Sequence, residues 1–308
     1  RIGIDGKFTH KTADGKVIKR DVAMPDHTAA FNIVKDALLS GEGKVIDSLD
    51  EVSAIGHRIV QGGAKFDHSV LVDEQVVKDI EGYSALAPLH NPAHVQGIRA
   101  ATAAFGTEIP QVVVFDTSFH QTMPPYAYMF GVPYEYYEKY AVRRYGFHGT
   151  SHRYVSHRCC ELLGKPDGEG TKIITLHLGN GSSIAALRDG HVVDTTMGLT
   201  PLDGFMMGTR SGAIDPSVVT FIMEKEHFSP SEMDVVLNKK SGMLGISGIS
   251  SDDRDIDAAV KAGNERAKLA WDMRTYEIIK YVGKSQYSFT VPEDVVEKDV
   301  HWYLMMSD

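Results

Sequence analysis

Two rhythms of apolar and polar positions run along this chain. The stretch "HTAAFNIVKDALLSGEGK" places apolar residues at helical spacing and runs out at Gly41, the pattern of an amphipathic helix with a glycine stop. "VSAIGHRIVQGG" reads instead as a buried strand leading into a Gly-Gly turn, and helical spacing returns near residues 91 to 105. The apolar run in "PQVVVFDTSFH" is a short buried strand ending at Asp116. Upstream, residues 1 to 22 are strand-rich, with turn signals at Asp5-Gly6 and Asp14-Gly15. "MPPYAYMFGVPYEYYEKY", dense in Pro and Tyr, reads as an irregular packed loop. "GFHGTSHRYVSHRCCELLG" predicts a helix capped by Thr150 or Ser151, running to Leu163 and stopped at Gly164. Residues 172 to 198, "KIITLHLGNGSSIAALRDGHVVDTTMG", parse as three strands joined by a Gly-Asn-Gly-Ser-Ser turn and an Asp-Gly hairpin. Strands that alternate with helices indicate an α/β architecture.

With 308 residues and 43% hydrophobic content, the chain can bury a large core, more readily as two domains than as one. A formal charge of -9 opposes phosphate-backbone binding, so no nucleic-acid partner is expected, although a local Arg cluster can still hold a small anion. No run of about eighteen apolar residues is present to cross a bilayer, and the first residues lack a signal peptide's apolar core. The expectation is a cytoplasmic protein without membrane contact. Cys159 and Cys160 are adjacent, where a disulfide ring is strained, so both read as reduced, buried helix residues.

The chemistry concentrates at strand ends and Gly-rich loops, where α/β proteins build sites. Arg58, His90, His148, His177 and Arg210 all fall there. The two guanidiniums keep their charge and present a planar fork of donors to phosphoryl or carboxylate oxygens, so they suit an anion clamp; the competing reading of either one is a salt bridge. The turn at Gly179, Asn180 and Gly181 leaves backbone N–H groups uncovered for a phosphate, or its glycines only permit a hairpin. His148 precedes a helix N-terminus, where free N–H groups attract anions, and functional and structural readings are evenly balanced for it. His152 and His157, inside the helix, read as structural. Asp116 either orients an Arg or a nucleophile, accepts a proton, or caps the following turn. "HNPAH" and "HGTSH" show no third ligand, which argues against a structural zinc; Mg²⁺ accompanying a nucleotide fits better.

These segments carry a resemblance. "GHRIVQGGAKF", "LAPLHNPAHVQGI", "VVVFDTSFHQTMP", "RYGFHGTSH", "LHLGNGSS", "DTTMGLTPLDGFMMGTRSGAIDP" and "GMLGISGISSDDRDI" are similar, in order, to the motifs of the acetate and propionate kinase family, over residues 1 to about 284. The resemblance implies the actin-like α/β fold of sugar kinases and 70-kilodalton chaperones, two related domains flanking a nucleotide cleft. It implies a domain at 1–117, a nucleotide-binding domain at 118–284 and an unassigned tail at 285–308. The implied reaction is reversible transfer of the ATP γ-phosphoryl group to acetate, giving ADP and acetyl phosphate, with Mg²⁺, in a cytoplasmic homodimer. By the same resemblance Arg58 and Arg210 clamp acetate and the phosphoryl group, Asp116 is the catalytic acid beside them, and His148 bonds the phosphoryl group. His177, Gly179, Asn180 and Gly181 line the nucleotide phosphates, and Asp252, Asp253 and Arg254 approach the adenosine. Val60, Leu89 and Pro201 form the pocket for the acetate methyl, with His90 beside it.

The sequence also departs from the family pattern. The family opens with a Ser-rich phosphate turn carrying a lysine and a magnesium-side asparagine, and continues past residue 284 with a Gly-rich nucleotide loop, a magnesium-linked glutamate and a returning helix. Nothing precedes Arg1 here and "KSQYSFTVPEDVVEKDVHWYLMMSD" matches none of this, so the expectation is incomplete ends and no metal ligand is assigned. Gln61 stands where the family usually has His and Ala213 where it usually has Asp, changes that tune packing near Arg58 and Arg210. Two further readings stay open: a non-catalytic homologue that binds anions or a partner, and a propionate or butyrate kinase with the same chemistry and another pocket.

Overall fold

The computed structural model describes residues 6–12, 14–88, 90–284 and 303–307. The chain divides into two units, Arg1–Asp116 and Thr117–Asp308.

In the first unit, β1 (Lys7–Lys11) and β2 (Val17–Asp21) form an antiparallel hairpin around Asp14 and Gly15. Helix α1 (His27–Leu39) starts on Asp26, whose carboxylate accepts from the Ala29 N–H, and stops at an extended Ser40 before Gly41. The unit's sheet has the order β3 (Ile55–Ile59), β5 (Gln111–Phe115), β4 (Val70–Leu71), with β3 and β5 parallel. Helices α2 (Glu74–Gly82) and α3 (Asn91–Phe105) supply Val77, Ile80, Val95 and Ile98 to a core with Ile59, Val113, Phe115 and Phe66. The rings of Phe66 and Phe115 stack at 4.3 Å. Parallel pairing sets Arg58 opposite Val114 and Ile59 opposite Phe115, and the Asp116 N–H donates to the Ile59 carbonyl at 2.9 Å. The sheet register therefore fixes Asp116 beside Arg58.

In the second unit the Pro/Tyr segment is not a loop: it contains two short helices, α4 (Pro125–Tyr128) and α5 (Glu135–Tyr140). Pro125 occupies the first turn of α4, where its missing N–H costs nothing, and the Arg143 guanidinium lies 3.7 Å from the Tyr128 ring centre, anchoring the segment from outside. Helix α6 (Gly149–Leu162) is capped by His148 in the left-handed conformation and not by Thr150 or Ser151, which lie in its first turn. Cys159 and Cys160 are free and buried, packed with Ile173, Ala185 and Leu187.

The three strands read from residues 172 to 198 are β6 (Lys172–Leu178), β7 (Ser182–Arg188) and β8 (His191–Thr195). The sheet runs β8-β7-β6 and continues to β9 (Tyr303–Ser307), parallel to β6, so part of the unassigned tail is a strand; residues 285–302 lie outside those described. Asp189 and Gly190 both have positive φ, the two-residue turn that the Asp-Gly pair predicts. The rest is helical: α7 (Pro216–Glu226), α8 (Pro230–Val235), α9 (Gly242–Ser247), α10 (Asp253–Lys261) and α11 (Glu265–Lys284). Met243 of α9, Ile256 of α10 and Ala267 and Ala270 of α11 form one core with Met206.

Gly242 opens α9 at φ +65, and a Cβ there would lie 2.2 Å from the Met207 carbonyl oxygen and 2.8 Å from that of Arg210. Gly164 shares the positive φ, +69, but faces open space. Alanine at position 164 is expected to cost only the left-handed penalty of ~1–2 kcal/mol, and alanine at 242 distinctly more. Denaturant unfolding of the two variants checks this; equal losses would show that the backbone at 207–210 yields.

Candidate active site

Asp116 ends the strand that pairs with β3, and the Arg58 guanidinium meets it side-on. Nε donates to Oδ1 at 2.8 Å and Nη2 to Oδ2 at 2.7 Å. The carboxylate is 2% exposed while the Arg58 side chain is 62% exposed, so the buried partner fixes the fork and the cation faces outward. The paired carboxylate raises the Arg58 pKa above its ordinary value, against a smaller opposing effect of burial.

Around this pair the first unit adds imidazoles. His90 caps α3, and its ring lies 6.4 Å from that of His94, one helical turn on. Burial, reinforced by His90 and Arg58, pushes the His94 pKa down to about 4. Its Nε2 is buried without a hydrogen-bond partner among the described residues. Gln61 is fully buried: its Oε1 accepts from the Gly63 N–H at 2.9 Å, and its backbone carbonyl accepts from Asn91 Nδ2 at 2.9 Å. Val60 is buried beside it, and Leu89 lies outside the described residues.

The second unit gathers its site around Gly181. A Cβ at this glycine would lie 2.9 Å from Arg210 Nη1 and 3.5 Å from His148 Nε2, so the bare backbone faces both donors. Arg210 differs from Arg58 in having no carboxylate paired with it among the described residues. Its Nη1 donates only weakly, to the Pro201 carbonyl at 3.3 Å, and burial lowers its pKa. A cation withdrawn from water without a counter-ion raises the local affinity for an anion. Asn180 locks the adjoining segment: its carbonyl accepts from the Gly208 N–H at 3.1 Å, and its Oδ1 fills the space a Cβ on Gly208 would need. The Ser251 carbonyl reaches the same point, which brings the turn before α10 close to Asn180.

Asp252, Asp253 and Arg254 are occupied with one another and with helix ends. Asp252 caps α10, accepting from the Arg254 N–H and side chain at 2.9 Å, and these bonds hold its carboxyl down at about 2. Asp253 pairs with Arg274 at 2.8 Å.

The imidazoles of the second unit form a connected set that sequence reasoning only partly anticipates. His148 and His177 stack at 4.1 Å. His148 Nδ1 and His152 Nε2 each lie 2.8 Å from Ser183 Oγ, His152 Nδ1 lies 2.7 Å from Thr175 Oγ1, and His177 Nδ1 lies 2.9 Å from Ser151 Oγ. Burial drives the His152 pKa well below its ordinary value. Ser183 and Thr175 are the residues that the sequence reading misses, and Ser151, read there only as a cap, bonds His177 instead. The signal was present: His148 and His152 are spaced i, i+4 on one helical face, Thr175 and His177 share a strand face, and the hairpin sets Ser183 opposite His177.

The model of the acetokinase family matches residues 1–295. The chain belongs to the acetokinase family. Among the family's members, acetate kinases of Lachnoclostridium phytofermentans and Bacteroides thetaiotaomicron are 54% and 56% identical over 283 and 286 residues, 92% of this chain and 71% of each relative. Crystal structures of Porphyromonas gingivalis acetate kinase and a Francisella tularensis propionate kinase align with TM-scores of 0.85, at 47% and 42% identity. They cover 91% and 92% of this chain, and it covers 70% of each. The mixed α/β fold is thus the actin-like one of the acetokinase family. The family match extends to residue 295, past about residue 284, where the resemblance read from the sequence stops.

His94 supplies a test of the first unit's electrostatics. Its folded pKa of about 4 lies below the ordinary 6.5, so the unfolded chain binds the proton first as pH falls. Stability is therefore lost between about pH 6.5 and 4, and His152 contributes in the same direction. His94→Gln is expected to flatten part of that decline, read as urea midpoints at pH 7.5, 6 and 5; an unchanged slope would show that His94 is protonated in the folded protein.

Proposed function

We propose that this protein is an acetate kinase, transferring the γ-phosphoryl group of ATP to a carboxylate oxygen of acetate to give acetyl phosphate and ADP, and running in reverse. The observation that carries the reading is Arg210, desolvated, without a carboxylate partner among the described residues, and aimed with His148 Nε2 at the bare backbone of Gly181. Family membership supplies the substrate class.

Acetate is ionised near neutral pH, as carboxyls with pKa values of ~4–5 are, so its oxygen attacks phosphorus without prior loss of a proton. The chemistry needs charge neutralisation and alignment more than a base. Asp116 fits this, because both its oxygens are engaged by Arg58. It enters as a positioning residue: it turns the guanidinium so that Nη1 and the outer edge of Nη2 can take a carboxylate. By the resemblance, Val60, Leu89 and Pro201 are assigned to the acetate methyl and His90 to the substrate.

In the second unit Arg210 and His148 are assigned to the phosphoryl group, whose equatorial oxygens gain charge sharing in the transition state. His177, stacked on His148, limits the ring's rotation and faces the phosphates with Gly179, Asn180 and Gly181. Asp252, Asp253 and Arg254 stand on the same side as Ser251 and are assigned to the adenosine.

Mg²⁺ belongs to the reading as the nucleotide's companion. Among the described residues no three His, Cys, Asp or Glu side chains converge on a point that could hold a metal ion. Among the described residues these side chains do not fit a three-ligand Mg²⁺ cage, and an ion held largely by nucleotide phosphates and water does not require one. No step is routed through it. A cytoplasmic homodimer completes the proposal on the strength of the resemblance alone; among the described residues no helix is long and apolar enough to cross a membrane.

Purified protein with ATP, Mg²⁺ and acetate is expected to form acyl phosphate, trapped as the hydroxamate, and Arg210→Ala to lower turnover by ~10²–10³. Gly181→Ala is expected to retain the fold and lose most of the activity, because its methyl occupies the space between the donors. Folded protein that forms no hydroxamate would overturn the reading, and a higher kcat/KM for propionate would move it to that acid.

A further inference from the structure

The guanidinium of Arg210 has little of its own to aim it. Among the described residues its Nη1 makes only long bonds, to the Pro201 carbonyl at 3.3 Å and to Met207 Sδ at 4.0 Å. Arg58, in contrast, is turned by two short bonds to Asp116. A long side chain without strong partners keeps its rotamer freedom unless the backbone beneath it is fixed. The direction of Arg210 is therefore set by what holds residues 209 to 211.

Between α8 and α9 the chain makes a π-helical turn, Val236–Lys240, a rare form that is wider than an α-helical turn. In an α-helix the carbonyls of Leu237 and Asn238 would face the N–H groups of Ser241 and Gly242. Here both accept from the Arg210 segment: the Ser211 N–H donates to Leu237 at 3.0 Å, and Thr209 Oγ1 donates to Asn238 at 3.0 Å. In the other direction the Ser241 N–H donates to the Thr209 carbonyl at 3.1 Å. The residues on both sides of Arg210 are thus tied to one turn. Gly242 adds contact, since a Cβ there would lie 3.0 Å from the Arg210 nitrogen. The turn is itself braced, by Ser241 Oγ on the Val236 carbonyl at 2.8 Å and by Asn238 Nδ2 on Asp234 Oδ1 at 2.9 Å. Two of the three ties to the Arg210 segment are backbone bonds that almost any residue could make. The third is the hydroxyl of Thr209.

We infer that Thr209 is a positioning residue for phosphoryl transfer, whose hydroxyl fastens the Arg210 backbone to the π-helical turn at Val236–Lys240 and thereby aims the guanidinium. Loss of the hydroxyl leaves the charge in place and loosens its direction, so the transition state suffers more than nucleotide capture does. The inference rests on the acetate kinase reading for the reaction that Arg210 serves, while the tie itself belongs to the resting protein.

Thr209→Val keeps the shape and removes the hydroxyl, and Thr209→Ser keeps the hydroxyl. Side-chain ¹⁵Nε relaxation of the full chain, labelled with ¹⁵N-arginine and without substrate, tests the tie, with Arg210→Lys assigning the resonance. An ordered Arg210 Nε is expected in the unmodified protein and in Thr209→Ser, and a mobile one in Thr209→Val. A mobile Nε in the unmodified protein, or an equally ordered one in Thr209→Val, overturns the proposal whatever the activity. Thr209→Val is expected to lower kcat about tenfold or more, less than the ~10²–10³ of a lost direct donor, and to leave KM for ATP within about twofold. In an Arg210→Ala background the same substitution is expected to change kcat by less than about twofold, because the group it positions is gone. Wild-type kcat in Thr209→Val, failure of the serine to restore it, or the full loss repeated in the Arg210→Ala background overturns the assignment. If Thr209→Val does not fold, Ser241→Ala removes a brace of the same turn and carries the relaxation test: an unaltered Arg210 Nε there shows that the turn does not aim it. Hydroxamate formation by the unmodified protein reports on the acetate kinase reading separately.

Discussion

The second unit depends on backbone segments packed so closely that no side chain fits between them. Gly208 meets the Asn180 amide oxygen, Gly242 meets the carbonyls of Met207 and Arg210, and Gly181 meets the Arg210 guanidinium. The Met243 and Leu244 N–H groups donate to the Met207 and Gly208 carbonyls, which converts the approach into hydrogen bonds. Arg210 is aimed from a segment held on both sides, so the entropic cost of ordering a long side chain falls on the fold and not on ligand capture.

The two arginines illustrate opposite uses of one functional group. Arg58 is stabilised by a buried carboxylate and oriented by it, so its charge is partly neutralised before any ligand arrives. Arg210 keeps its full charge in a drier setting, where among the described residues its Nη1 makes only long bonds, to the Pro201 carbonyl and to Met207 Sδ. A monoanionic carboxylate suits the first and a phosphoryl group gaining charge sharing suits the second. Lysine would serve neither, since a point charge cannot span a carboxylate's two oxygens or reach around Gly181 in a plane.

Much of this was legible in the sequence. The alternation at 172–195 gave three strands and both turns, because a half-buried hairpin writes its period directly into residue type. Arg58, Asp116, His148 and Arg210 stood out as polar groups at the ends of apolar runs. The two short helices at 125–128 and 135–140 were hidden because six residues or fewer carry no readable helical period, and external contacts such as Arg143 on Tyr128 hold them. The cap of α6 was misplaced for a related reason: Thr150 and Ser151 have the chemistry of a cap, but the cap falls at His148, two residues before Thr150. Ser183 and Thr175 were passed over because a hydroxyl on a strand signals nothing alone. Their roles exist only once α6 lies across the sheet.

His148 holds φ +58 and ψ +26, a conformation that costs most side chains about 1–3 kcal/mol and that asparagine, aspartate and histidine tolerate best. The position therefore filters residues twice, first by backbone and then by ring chemistry. The set that passes the first filter is small and polar, and histidine is the one member whose ring offers a donor on one side and an acceptor on the other. A residue lacking both properties fails there through the main chain as well as through the lost imidazole, so evolutionary drift at this position runs into folding before it reaches catalysis.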